Sequence, residues 1–259
     1  MTEALASQMG RLFAKGARPT LDLVTSVIAG LATPAGEADN IVATFDALAA
    51  DAPSSATTAA GVIDYVFGDL GFAGNHRNYY DVNNSYMHSV LERRVGIPIT
   101  LSAVTIEIGR RLGVGFEPIG FPGHLLIRSG EMFFDPFAAG NSLGLDDCQS
   151  LLQQMYPGAT LEPEHTAVLS TAQVGHRMIN NLKQIELSSG NLSGVIDVCL
   201  IGLALPGSDA SHRAELAKLF EVTGRHDQAA NMHEELATLD PKEASFHQQA
   251  AGRLRTNRN

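Results

Sequence analysis

An α+β fold dominated by helices is predicted by three features of the sequence. Apolar residues recur at helical spacing over most of the chain, one such helix covers Pro98 to Leu112, and two short apolar runs, HLLIR and EMFFD, follow it. The chain has 259 residues, 44% hydrophobic and 18% charged, which suits one or two domains with a proper core.

The central helix is specified at both ends. Pro98 suits a first helical position, Leu101, Val104, Thr105, Ile108 and Leu112 mark one face, and Gly113 ends it, with Arg110 and Arg111 in the last turn complementing the helix dipole. HLLIR and EMFFD then read as a hairpin turning at Ser129 and Gly130. With Arg128 opposite Glu131, His124 falls opposite Asp135, on one face. Directly opposed residues have Cβ atoms about 4.5 to 5.5 Å apart, so a carboxylate there can accept the imidazole N–H and fix its tautomer. A packing histidine beside an aspartate that only starts the Asp135-Pro136 turn fits the same spacing.

Upstream, residues 74 to 85 (GNHRNYYDVNNS) are dense in polar and aromatic side chains. Tyr79, Tyr80, Asp81 and Asn84, with Gly123 beside the histidine, are the ligand-contact candidates; an ordered loop pinned by its own hydrogen bonds is the alternative. Asn84 or Ser85 would cap a helix from Ser85 to Arg94.

From NYYDVNNSYMHSVLERRVGIPITLS to DPF, the order of helix, LGV, strand, GH, strand and D resembles the transglutaminase-like superfamily, and more closely its bacterial SirB branch, over residues 60 to 245. The resemblance implies a papain/transglutaminase-like core, with a central helix on a small antiparallel sheet and a cysteine nucleophile at the helix start. There, a helix N-terminus and a neighbouring imidazolium lower a thiol's pKa. Counting back from Gly113 by the family's interval, that position holds Pro98, a substitution the branch shares.

Thr100 and Ser102, two and four residues after Pro98, are the hydroxyls that His124 would activate in a Thr/Ser-His-Asp arrangement; a helix-capping threonine and a small packed serine are the alternative. Cys148 and Cys199 sit in apolar helical surroundings where thiols are usually inert, and neither their spacing nor that of His88 and Glu92 makes a metal site. No cofactor and no metal is expected.

Gly190 and Gly224 are 34 residues apart, the tetratricopeptide period, and Leu216, Ala217, Phe220, Ala229 and Pro241 fall where that repeat packs and turns, while His233 and Leu236 depart from it. Two degenerate repeats are too few for a long groove. The N-terminal apolar clusters, Leu12-Phe13, Leu21 to Leu31, Ile41 to Leu48 and Val62 to Leu70, read as helical cover. The expected organisation is an N-terminal helical region over 1–75, the core over 76–165, TPR-like helices over 166–250 and a disordered tail over 251–259.

A formal charge of −10 and a pI near 5.3 argue against nucleic-acid binding. Without a signal-like start or a membrane-length apolar run, cytoplasmic localisation is expected, with no membrane partner. Two functions remain: a non-catalytic peptide- or protein-binding module, or a hydrolase or acyl-transfer enzyme working through a hydroxyl.

Overall fold

A computed structural model describes residues 1–33 and 40–256. Part of the expected TPAGEADN turn lies outside the described residues. In chain order come α1 (Thr2–Leu12), α2 (Leu21–Ala29), α3 (Asn40–Ala50), α4 (Ala59–Ile63) continued by a π turn over Asp64–Asp69, and β1 (Ala73–Gly74). Then follow α5 (Met87–Arg93), β2 (Val95–Gly96), α6 (Pro98–Arg111), β3 (Glu117–Ile119), β4 (Leu126–Ser129), β5 (Met132–Asp135), β6 (Asn141–Leu143) and α7 (Leu145–Met155). Five helices complete the described chain: α8 (Thr171–Ser188), α9 (Leu192–Leu203), α10 (Ala210–Val222), α11 (His226–Leu239) and α12 (Ala244–Thr256).

The chain divides into two compact units, Ala17–Met178 and Met1–Gly16 with Ile179–Asn259. These boundaries differ from the expected breaks at 75 and 165: α1 groups with the C-terminal helices, and the other N-terminal helices group with the core. Short amphipathic helices look alike in sequence whichever surface they cover, so composition does not reveal this allocation.

In the first unit, α6 is buried on every face from Pro98 to Gly109. It packs against α3, α2, α4 and strands β3 and β4, which is why apolar residues surround it rather than forming one stripe. The sheet runs β3-β4-β5-β6, antiparallel throughout. Ile119, Phe121, Leu126 and Phe133 meet Cys148 and Leu152 of α7 in a buried hydrophobic cluster. The two apolar runs therefore have a helix to bury against, as a hairpin needs for stability.

The hairpin register differs from the expected one. Ile127 pairs with Phe134, Arg128 with Phe133 and Ser129 with Met132, so the loop is Gly130-Glu131 rather than Ser129-Gly130. Gly130 occupies the first loop position at φ 59°, the conformation a type II′ turn needs from its first central residue. The offset is two residues, and because strand faces alternate with period two, every side chain keeps its face. His124 lies in the turn before β4, outside the paired residues, so it is not the direct cross-strand partner of Asp135.

α5 starts two residues later than expected, with Tyr86 at its N-cap and no side-chain cap. Deeper in the unit, Arg111 binds Asp22 Oδ2 at 2.5 Å, Asp46 Oδ1 at 2.6 Å and Glu107 Oε2 at 2.8 Å, while Glu107 Oε1 accepts the Leu21 amide at 2.8 Å. This ties the last turn of α6 to the first turn of α2, beyond the helix-dipole role the sequence suggested. Burial pushes the Asp22 carboxyl up, but hydrogen bonds from Thr20, Arg111 and the Leu23 amide hold it below the ordinary value.

In the second unit α9 packs on α1, where Thr2 Oγ1 donates to Asp197 Oδ1 at 2.9 Å, and on α10; α11 packs between α10 and α12. Gly190 and Gly224 close the α8–α9 and α10–α11 turns at φ 74° and 71°, the left-handed conformation a helix C-terminus favours. Ile196, Leu216, Phe220 and Ala229 form the buried centre, with Leu254 packed against it. Residues 251–256, expected in a disordered tail, instead continue α12, because Ala250, Ala251 and Leu254 have this apolar surface to cover; 257–259 lie outside the described residues.

Candidate functional site

The turn Phe121–His124 and the end of β5 bring the dyad together. His124 Nε2 lies 2.8 Å from Asp135 Oδ1, with the side chains 11% and 10% exposed. Asp135 Oδ1 also accepts the amides of Phe137, at 2.9 Å, and Ala138, at 3.3 Å, at the start of the 3₁₀ turn Pro136–Ala138. The carboxylate is therefore fixed by the backbone that follows it, and it holds the imidazole through its distal nitrogen. Both earlier readings of Asp135, orienting group and turn former, apply to the same oxygen.

Phe137 is the platform beside the dyad. Its ring lies 6.2 Å from the His124 ring, 4.3 Å from His76 and 5.8 Å from Tyr79, and Tyr79 in turn meets Tyr80 edge-on at 5.3 Å. Tyr79 is half-buried, and burial raises its phenol above the ordinary value, with Arg177 acting to lower it. Tyr80 is 73% exposed. Gly74 makes room for the platform: a Cβ there would lie 2.6 Å from the Phe137 carbonyl oxygen and 2.7 Å from its ring.

Asp81 and Asn84, expected as ligand contacts, are committed inside the loop. Asp81 Oδ1 accepts the Asn83 amide at 3.0 Å, and its Oδ2 pairs with Arg93 at 3.0 Å. Buried Asn84 donates to the carbonyls of Asn78 at 2.8 Å and Tyr79 at 3.1 Å, and accepts from Asn75 at 3.0 Å. They hold Tyr79 in place. Gly123 has φ 64° and lies where a side chain would strike Met155 and the Tyr156 hydroxyl, so it serves the turn that presents His124.

Thr100 and Ser102 are 1% and 0% exposed. Thr100 Oγ1 accepts the Ile97 amide at 3.1 Å and has the Asn84 carbonyl as acceptor at 2.9 Å, so it satisfies an amide at the start of α6. Ser102 Oγ donates to the Leu125 carbonyl at 3.4 Å. Pro98 is buried at the first helical position. Burial pushes the thiols of Cys148 and Cys199 up to about 11, leaving both protonated near neutrality. Among the described residues, no group of three or more His, Cys, Asp or Glu side chains could hold a metal ion, and no helix is long and apolar enough to cross a membrane.

Three residues of this surface went unassigned in the sequence: His76, Phe137 and Arg177. The first two lie within motifs already noted. Arg177, on α8, left no local signal: its Nη2 donates to the carbonyls of Phe121 at 3.0 Å and His124 at 2.7 Å, across 56 and 53 residues of chain.

A family model described as the transglutaminase-like superfamily matches residues 34–180. A UPF0162 protein of Xylella fastidiosa is 43% identical over 102 residues, 38% of this chain and 35% of that relative. Mouse F-box only protein 21 is 36% identical over 146 residues, 51% of this chain but 22% of its own length. A UPF0162 protein of Pseudomonas aeruginosa is 28% identical over 182 residues, covering 69% of this chain and 67% of the relative. The chain thus spans only about a third of the Xylella relative it matches. No solved structure matches it. The chain belongs to the transglutaminase-like superfamily.

Proposed function

We propose that the surface around His124 is a non-catalytic peptide- or protein-binding site, in a SirB-type member of the superfamily that lacks the cysteine nucleophile. The observation that carries this reading is the state of the helix start. Proline stands where the family resemblance puts the cysteine, and the nearest hydroxyls are buried and engaged with backbone groups. A general base needs a proton within hydrogen-bond reach or one water away, on a group a substrate can also touch. Thr100 and Ser102, at 1% and 0% exposure, give a substrate little to touch. What stays accessible is suited to binding: an exposed Tyr80, the half-buried ring of Tyr79 and the His76 and Phe137 rings beside an oriented imidazole.

The α8–α9 and α10–α11 pairs, each closed by a glycine, support a TPR-like reading of the C-terminal helices as a cap or additional surface. Cytoplasmic localisation belongs to the same proposal. The second reading, a hydrolase or acyl-transfer enzyme using Thr100 or Ser102, is favoured by one observation, the 2.8 Å contact that orients His124.

The binding reading is tested by titrating the isotope-labelled chain with a library of acetylated hexapeptides. Shifts should concentrate at residues 76–80, 121–124 and 135–138 and weaken at least ten-fold in Tyr79→Ala. Binding that ignores this surface would sink it.

A further inference from the structure

Among the arginines drawn into the first unit, Arg111 and Arg177 are treated in opposite ways. Arg111 is surrounded by Asp22, Asp46 and Glu107, and these carboxylates hold its pKa above the ordinary value despite burial. Arg177 is also half-buried, but no carboxylate among the described residues pairs with it. Burial lowers its pKa, opposed only by the Tyr79 phenol.

A guanidinium carries five N–H donors in a planar fork. The Nη2 atom serves the Phe121 and His124 carbonyls, which satisfy hydrogen bonds but supply no compensating charge. No protein acceptor is engaged by the Nε and Nη1 donors among the described residues. A half-buried cation of this kind is stabilised when an anion completes it, and a carboxylate does so through two parallel hydrogen bonds. The place is telling: Arg177 grips the carbonyl of His124 itself, whose ring lies 6.2 Å from Phe137, and Phe137 meets Tyr79 edge-on at 5.8 Å. The acidic neighbours are already taken, Asp81 by Arg93 and Asp135 Oδ1 by His124 and two amides.

We propose that Arg177 recognises a carboxylate on the peptide that occupies the His124 surface, with the Tyr79 and Phe137 rings carrying the adjoining apolar part of the ligand. This rests on the peptide-binding reading and names its ligand class. The carboxylate comes either from a chain terminus or from an acidic side chain.

Three probes decide, each titrated into the full isotope-labelled chain: N-acetyl-phenylalanine, N-acetyl-glutamyl-phenylalaninamide and N-acetyl-phenylalaninamide. At least one acid should shift Gly123 and His124 and bind ten-fold or more tightly than the neutral amide. The preferred acid identifies the terminal or side-chain source. Arg177→Gln should abolish the preference for acid over amide, and Arg177→Lys, which keeps the charge but not the fork, should retain part of it. Because the acid-to-amide ratio is measured on the wild type, a variant that misfolds does not stall the test. Equal affinity of amide and acids, or an undiminished preference in folded Arg177→Gln, overturns the carboxylate assignment and leaves peptide binding standing. Absence of any shift at this surface, from these probes and from the hexapeptides alike, overturns both.

Discussion

Arg111→Met is the substitution whose cost the structure specifies best. It removes a guanidinium that is 10% exposed from Asp22 and Glu107, each 2% exposed, and leaves Arg110 as their cationic partner, at 3.3 Å from Asp22 and 2.8 Å from Glu107. Removing one member of a buried ion pair generally costs about 3 to 5 kcal/mol, because the charge left behind is uncompensated. Residual pairing by Arg110 places the expected loss near the lower end, about 3 kcal/mol. Arg110 is 45% exposed, so Arg110→Met should cost under about 1 kcal/mol.

Urea denaturation followed by far-ultraviolet circular dichroism measures both; with m of about 2 to 3 kcal/mol/M, Arg111→Met should lower the midpoint by roughly 1 to 1.5 M without changing m. The pH dependence has a defined sign. Asp22 has a folded pKa below its ordinary value, so its contribution is complete above that value, about 3.9, and is lost as pH falls through the folded value. The gap between wild type and Arg111→Met should therefore narrow below about pH 4. Equal costs for the two arginine substitutions, or a gap that widens in acid, would refute the reasoning.

Gly74→Ala should destabilise the first unit by about 1 to 3 kcal/mol, since its Cβ would meet the Phe137 backbone oxygen at 2.6 Å; thermal unfolding checks this, and a neutral result would show that Phe137 is free to move. Both thiols, pushed up to about 11, should react with a disulfide reagent at pH 8 many-fold more slowly than in urea, with rates still climbing above pH 9. Fast labelling of either in the folded chain would count against their burial.

Local patterns carried much of the fold. The proline, the apolar period and Gly113 mark α6 to within a residue, since helix signals are confined to the helix itself. The hairpin was legible as an element but not in register, because either pair of residues around Gly130 makes a plausible loop, and only the glycine's place in the turn decides. The dyad survived that offset because the Phe121–His124 turn, and not the paired strands, sets His124 beside Asp135.

Other residues lay beyond local reading. Arg177 touches His124 from 53 residues away, and Asp22 meets Arg111 from 89. Nothing at either position distinguishes these side chains from solvated helix charges. Asn84 looked like a helix cap because it precedes α5, yet its amide holds the loop carbonyls instead. A cap and a loop clamp use the same residue type, and the backbone path chooses between them.

The central claim, that an oriented His124–Asp135 pair remains where no nucleophile serves it, is tested most directly by turnover. Hydrolysis and amine transfer on a panel of peptide, glutamine-amide and isopeptide substrates should be the same for wild type and His124→Ala, both at background. A wild-type rate ten-fold or more above His124→Ala on any of them, lost again in Thr100→Val or Ser102→Ala, would contradict the account and restore hydroxyl catalysis.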